Sequence, residues 1–131
     1  MGKTKIFVAG SWDNRTVMHD IIKQFDSIAE VTHDWTIHES EELLNNKVYL
    51  QSQVIVTCEA IEHSDLLIVI MDQPNYAYMG TWTEIGMALA TNIPVLIFNP
   101  NNYCVNNLYM NHLGIKIFDN LNKLAEYVKN W

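Results

Sequence analysis

A carboxylate, Glu84, lies at the start of a helical pattern that follows the most apolar run of the chain, Leu66 to Ile70. We expect the helix to run from about Thr81 to Ala90, with Glu84 on its first turn. Free N–H groups at a helix N-terminus favour an ionised carboxylate, which suits a nucleophile. The spacing Thr81-x-x-Glu84 also matches a capping box, in which Glu84 would only cap its own helix. The residues alone leave both interpretations open.

A second carboxylate, Asp72, comes directly after the same apolar run. If the run is a buried strand, Asp72 stands at its carboxyl end and faces the same crevice as Glu84. Two carboxylates at one crevice can divide the work of bond cleavage, one as nucleophile and one as proton donor.

The loop Gly10 to Arg15 follows the first apolar run, Ile6 to Ala9. Gly10 permits close backbone approach, and the helix that follows offers free N–H groups to an anion. Ser11 adds a hydroxyl group and Arg15 a positive charge. An ordinary strand-to-helix turn, with Asp13 or Asn14 as the N-cap, fits equally well. The loop matches neither a P-loop nor a GxGxxG fingerprint.

Aromatic residues accompany these loops. Trp35 ends the segment Thr32 to Trp35, Trp12 lies in the first loop, and Tyr76 follows Asp72. Such rings can stack on a base, or they can pack beneath their own loops. The neighbours His33 and Asp34 could form a relay, but adjacency alone is weak support.

These loops need a scaffold that brings strand ends together. Apolar runs alternate with helical patterns along all 131 residues, which indicates one domain, residues 1–131. Strands that are apolar on both faces predict a doubly wound, five-stranded parallel sheet in a three-layer α/β/α fold of flavodoxin-like or Rossmann-like order. The predicted strands are Ile6–Ala9, Ala29–Thr32, Leu66–Ile70, Pro94–Phe98 and Ile115–Phe118. The predicted helical stripes centre on Val17 to Phe25, on Val54, Cys58 and Ile61, and on Leu121, Leu124 and Val128, while residues 39–46 form a loop or short helix.

Composition narrows the class of partner. The formal net charge of −7 argues against a nucleic-acid polymer or an anionic membrane surface. Cys58 and Cys104 form no metal-binding pattern, so we expect no metal and two reduced thiols in a cytoplasmic protein. A small-molecule ligand in a local pocket remains compatible with the charge.

Three segments together carry a family resemblance: KIFVAGSW at the start, SDLLIVIMDQP, and GTWTEIGMALA. Across roughly residues 3–100 the chain resembles the nucleoside 2-deoxyribosyltransferase superfamily, which includes 2′-deoxynucleoside 5′-phosphate N-hydrolases. The resemblance implies a flavodoxin-like fold and a homo-oligomer whose subunits share sites. It also implies that Glu84 is the nucleophile and that Gly10 and Ser11 hold the sugar or its phosphate.

One family position differs in this chain. The family usually places an aspartate in the helix before the SD strand, where this chain has Thr57, with Glu59 and Glu62 as the nearest acids. We therefore expect Asp72, or else Glu59, to orient the sugar or protonate the leaving base.

The predicted reaction is cleavage of a nucleoside or nucleotide N-glycosidic bond, with transfer of the deoxyribosyl group to another base or to water and no cofactor. The expected substrate-binding residues are Gly10, Ser11, Trp12, Arg15, Trp35, Tyr76, Gly80, Thr81 and, near a partner's pocket, Asn107. Asn107 lies in the amide-rich and aromatic segment 99–110, where Tyr103, Tyr109 and Met110 are expected to be exposed. Two alternatives remain: a TIR-type NAD glycohydrolase, and a nucleotide-binding sensor in which Glu84 is only a helix cap.

Overall fold

The computed structural model describes residues 2–38 and 40–131. Five parallel strands form one sheet in the order β2-β1-β3-β4-β5, and the predicted doubly wound α/β fold is confirmed. The strands and helices, in chain order, are β1 (Lys5–Ala9), α1 (Arg15–Asp26), β2 (Glu30–Val31), α2 (Lys47–Glu62), β3 (Leu66–Ile70), α3 (Met79–Ala90), β4 (Val95–Phe98), β5 (Ile115–Phe118) and α4 (Leu121–Lys129).

The centre of the sheet is apolar on both faces. Every residue of β3 is buried, and Ile68 aligns with Val8 of β1 and Leu96 of β4. One face of the sheet packs against α1 and α4, and the other packs against α2 and α3. Burial on both faces explains why these strands are continuous apolar runs and not alternating ones.

The largest differences from the predicted element boundaries are at β2 and α3. β2 has only the two residues Glu30 and Val31, so the strand predicted over residues 29–32 is shorter. α3 begins at Met79, two residues before the predicted start. The segment 39–46, predicted as a loop or short helix, contains a short 3₁₀ helix, Glu41–Asn45, and Glu39 lies outside the described residues.

Two predicted core positions lie on the surface. Val17 of α1 is 44% exposed, whereas its neighbours Met18 and Ile21 are buried. Val54 of α2 is 62% exposed, and only the end of that stripe, at Ile61, is fully buried. Helix α2 therefore carries more apolar surface than its contact with the sheet requires. In the part of the chain that the structure describes, no helix combines the length and apolar character needed for a membrane span.

Candidate active site

A cavity of about 450 Å³ lies at the carboxyl ends of the strands. The loop after β1, the segment after β2, helix α2 and the segment leading into α3 all contribute to its wall. Its volume is within the range of small-molecule sites in proteins. β1 and β3 are neighbours, and the chain crosses to opposite faces of the sheet after them, which is the switch point where ligands bind in doubly wound sheets.

Three of the aromatic residues singled out from the sequence, Trp12, Trp35 and Tyr76, line one side of the cavity. The Trp12 and Trp35 rings stack with their centroids 6.0 Å apart. Trp35 Nε1 donates a 2.7 Å hydrogen bond to the carbonyl oxygen of Val8, and the backbone N–H of Trp12 donates to Tyr76 Oη. These bonds fix the three rings against the ends of β1 and the loop after β3.

Gly10 lines the cavity and also takes part in a close contact within the protein. A Cβ atom at this position would collide with Sδ and Cε of Met18. Met18 is a buried residue of α1, so Gly10 allows α1 to pack closely over the end of β1. A side chain at position 10 would therefore displace the end of the Met18 side chain from this contact.

Ser11 and Arg15 do not line the cavity but lie next to it. Ser11 is 2% exposed, and its Oγ has no hydrogen-bond partner among the described residues. The Arg15 guanidinium lies 4.4 Å from the centre of the Trp12 ring and 3.5 Å from a carboxylate oxygen of Glu41. An unsatisfied buried hydroxyl costs about 1–3 kcal/mol, which a ligand's hydrogen bond would recover.

Helix α3 carries Glu84 on its second turn and not on its first. The N-cap is Tyr78, which has a left-handed backbone (φ 56°) and makes no side-chain cap bond. The capping-box interpretation of Thr81 and Glu84 is therefore wrong. Thr81 Oγ1 instead donates a 3.2 Å hydrogen bond to the carbonyl oxygen of Gly10.

Glu84 lines the cavity together with Gly80 and Thr81. Burial raises the pKa of the Glu84 carboxyl to about 7, so its ionisation changes near neutral pH. The expectation that a helix N-terminus would favour the ionised form is not met, because that effect fades beyond the first turn and desolvation dominates. A carboxyl with such a pKa is typical of catalytic acids and nucleophiles.

Besides Ser11 and Arg15, three further predicted site residues do not line this cavity. Asp72 is partly buried but does not line it, and Glu59 is exposed on α2. Asn107 also lies outside it and caps a 3₁₀ helix by accepting a hydrogen bond from the N–H of Tyr109. Among the described residues of the wall, Glu84 is the one carboxylate.

Helix α2 supplies a wall that the sequence did not assign to the site. Gln53, Thr57 and Cys58 face the cavity, and Leu50 and Val54 extend this face towards solvent. Their spacing of three to four residues places them on one helix face. Because residues that pack in the core show the same spacing, the pattern alone does not identify them as part of a site. Across the cavity, Met87 of α3 accepts a 3.6 Å hydrogen bond from Cys58 Sγ.

The proposed His33–Asp34 relay is not formed. Asp34 instead accepts hydrogen bonds from the backbone and side chain of Thr36 and lies 3.0 Å from Nδ1 of His19. Burial lowers the pKa of His33, which does not line the cavity. A different histidine, His38, does line it.

Potential metal ligands do not cluster in the described chain. Across residues 2–38 and 40–131 no three His, Cys, Asp or Glu side chains are grouped so that they could hold a metal ion.

The fold and the cavity together define a doubly wound α/β protein whose switch point holds a cavity with aromatic rings on one side and one partly buried carboxyl. The chain belongs to the nucleoside 2-deoxyribosyltransferase family, whose family model matches residues 6–120. No match was found among curated proteins.

Solved structures share this fold at low sequence identity. A 2-deoxyribosyltransferase from Bacillus psychrosaccharolyticus is 18% identical with a TM-score of 0.70, over 98% of this chain and 92% of that one. The solution structure of BlsM is 15% identical with a TM-score of 0.58, over 98% and 88%. The CMP N-glycosidase BcmB from Clostridium botulinum is 16% identical with a TM-score of 0.54, over 97% and 98%.

Proposed function

We propose that this protein cleaves the N-glycosidic bond of a 2-deoxynucleoside or its 5′-monophosphate, with Glu84 as the nucleophile. The observation that carries the proposal is a single partly buried carboxyl, with its pKa raised to about 7, in a cavity whose other side is aromatic. Family membership supports the reaction class. The rings of Trp12, Trp35 and Tyr76 offer surfaces on which a base can stack.

The reaction proceeds in two displacements. The Glu84 carboxylate forms a bond to C1′ as the C1′–N bond breaks, and the electron pair of that bond leaves with the base. The resulting glycosyl ester is then attacked at C1′ by a second base or by water, which releases the carboxylate. Attack by a base gives transfer, and attack by water gives hydrolysis.

The sugar is proposed to be 2-deoxyribose. Gly80 and Thr81 precede Glu84 on the cavity face of α3, and a 2-hydroxyl would crowd the nucleophile there. A Cβ at Gly80 would meet no atom within 4 Å, so the proposed crowding comes from Thr81 and Glu84 and not from a tight wall at Gly80. Equal rates on ribonucleosides and deoxyribonucleosides would contradict this preference.

The 5′ end of the substrate is proposed to reach the turn at Gly10 and Ser11. The unpartnered Ser11 Oγ and the nearby Arg15 could together hold a phosphate. We then expect monophosphates to compete better than nucleosides, and Ser11→Ala combined with Arg15→Ala to remove the difference. If nucleosides bind as well as monophosphates, the turn holds only the sugar.

The test of the function is a chromatographic screen of the purified protein. The panel contains deoxyribonucleosides, ribonucleosides, their monophosphates and NAD, each with and without a second free base. Release of a free base from a deoxy substrate supports the proposal, and a new nucleoside in the presence of the second base identifies transfer. Cleavage of NAD alone would favour a NAD glycohydrolase, and no release from any substrate would overturn the proposal.

A further inference from the structure

The cavity presents a nucleophile without a second carboxylic acid. Few of the described residues that line the cavity carry a group able to donate a proton near neutral pH. Glu84 is one of them, but it acts as the nucleophile in the proposed function. The present inference rests on that proposed function. Thr57 faces the cavity where the family resemblance leads one to expect an acid, and Asp72 and Glu59 lie outside. A departing base that gains no proton is a poor leaving group, so another residue must supply it.

His38 lines the same cavity and is held firmly. Its Nδ1 lies 2.6 Å from Tyr49 Oη, and its ring packs against Trp12 with the centroids 5.5 Å apart. Its Nε2 is shielded from solvent and has no hydrogen-bond partner among the described residues. One nitrogen of the ring is therefore committed to the protein, and the other has no hydrogen-bond partner among the described residues.

Two other proton-bearing groups in the wall are less suitable. The hydroxyl oxygen of Tyr76 accepts the Trp12 backbone N–H, and tyrosine hydroxyls donate poorly near neutral pH. The Cys58 thiol donates to Met87 Sδ. Imidazole is the side chain whose protonation ordinarily changes between about pH 5 and 8, which suits an acid that must be recharged in each cycle.

We propose that His38 protonates the leaving base. In the imidazolium form Nδ1–H donates to Tyr49 Oη, and Nε2–H transfers its proton to a ring nitrogen of the base. As this transfer occurs, the C1′–N bond breaks with its electron pair moving to the base, and the Glu84 carboxylate bonds to C1′. The neutral imidazole then takes a proton from the water, or from the second base, that attacks the glycosyl ester.

The test compares two leaving groups in wild type and His38→Gln. One substrate is the natural deoxynucleoside, or monophosphate, cleaved fastest in the screen. The other is para-nitrophenyl 2-deoxyribofuranoside, or its 5′-phosphate, whose nitrophenolate departs without protonation. We expect His38→Gln to lower kcat on the natural substrate by about 10²–10⁴-fold, the usual contribution of general acid catalysis, and to change the nitrophenyl rate by less than about threefold.

Two further variants keep the outcomes separable. Tyr49→Phe removes the partner of Nδ1 but keeps the imidazole, so it should lower the natural rate by a smaller factor and leave the nitrophenyl rate unchanged. Glu84→Gln should abolish both rates, and if it does not, the proposed function fails independently of His38. Equal losses on both substrates in His38→Gln, or no loss on either, would overturn the role of His38. Thermal melting of each variant shows whether the fold persists, and if His38→Gln fails to fold, the Tyr49→Phe comparison decides in the same way.

Discussion

Thr81 Oγ1 donates a hydrogen bond to the carbonyl oxygen of Gly10 over 3.2 Å, which joins the first turn of α3 to the carboxyl end of β1. Glu84 lies three residues after Thr81, and residues at this spacing share a helix face. This bond therefore sets the position of the carboxylate relative to the loop that carries Trp12. The hydrogen bond joins the Thr81 side chain to the Gly10 backbone, and the Glu84 carboxylate takes no part in it.

Replacing Thr81 should therefore impair catalysis more than folding. Thr81→Val keeps the shape and removes the hydrogen bond, which is worth about 1 kcal/mol of stability. A misplaced Glu84 should lower kcat by about tenfold or more, since small misalignments are costly in catalysis. The measurement is steady-state kinetics alongside thermal melting. Thr91→Val is a matched control, because Thr91 does not line the cavity and its hydroxyl bonds only to backbone carbonyl oxygens at the C-terminal end of α3. Equal kinetic losses in the two variants would contradict the positioning role.

The raised pKa of Glu84 predicts opposite effects of pH on activity and stability. Burial moves the pKa from 4.5 to about 7, so between these values the folded protein binds a proton that the unfolded chain has lost. The free energy of unfolding should fall as pH rises through this interval, whereas kcat/KM, which requires the Glu84 carboxylate, should rise with pH on the acidic side of its profile.

The substitution Glu84→Gln removes the ionisable carboxyl, so the variant should not lose stability as pH rises. At about pH 8 we expect this variant to be more stable than the wild type by about 1–3 kcal/mol, since one pKa unit corresponds to about 1.4 kcal/mol. At about pH 4 the difference should nearly vanish. Denaturant unfolding at both pH values measures this, with the exposed Glu59→Gln as the control. The free energy of unfolding of Glu84→Gln, minus that of the wild type, is the quantity compared at the two pH values. If this difference is lower at pH 8 than at pH 4, the ionised carboxylate is stabilised in the fold and the expectation is wrong.

The aromatic side of the cavity should contribute binding energy. Trp12→Ala removes a ring that stacks on Trp35, and loss of base stacking typically costs about 1–3 kcal/mol. We expect KM to rise by roughly 5- to 150-fold on nucleosides. Trp131→Ala, which removes an exposed tryptophan at the end of α4, should leave KM unchanged. An unchanged KM in Trp12→Ala would mean that the rings only pack against one another.

The exposed apolar face of α2 should be covered by a second copy of the chain. Val48, Val54 and Ile55 are each more than half exposed, and Val54 also lines the cavity. In the segment 99–110 Tyr109 is exposed as predicted, whereas Tyr103 and Met110 pack against their own core. We expect at least a dimer by sedimentation at micromolar protein, and Ile55→Glu should give a monomer with reduced activity. A monomeric wild type that is fully active would refute the assembly and any shared site near Asn107.

The scaffold was predictable because its signals are local. The apolar runs predict the first and last residues of β3 and β5 correctly. A strand such as β3, which is buried on both faces, is typical of a parallel sheet covered by helices on both sides. The edge strand β2 was predicted too long, because its short ladder depends on its neighbour more than on its own residues.

The site was only partly predictable because it depends on side-chain direction and distant packing. Trp12, Trp35, Tyr76 and Glu84 follow strand ends, so topology alone brings them to the crevice. Asp72 also follows a strand end, yet its side chain does not line the cavity. His38 carries no recognisable motif, and its place in the wall arises from contacts with Trp12 and Tyr49 that are far apart in sequence.

The most direct test of the proposed mechanism is mass spectrometry of the protein quenched in acid during turnover of its best deoxynucleoside substrate. A glycosyl-enzyme intermediate predicts a mass increase of one deoxyribosyl group, or one phosphorylated deoxyribosyl group, located by peptide fragmentation on Glu84. The adduct should be lost on addition of a free base or on longer incubation in water, and it should be absent from Glu84→Gln, which should also be inactive. An active Glu84→Ala protein, or an adduct on a different residue, would contradict the assignment of Glu84 as the nucleophile.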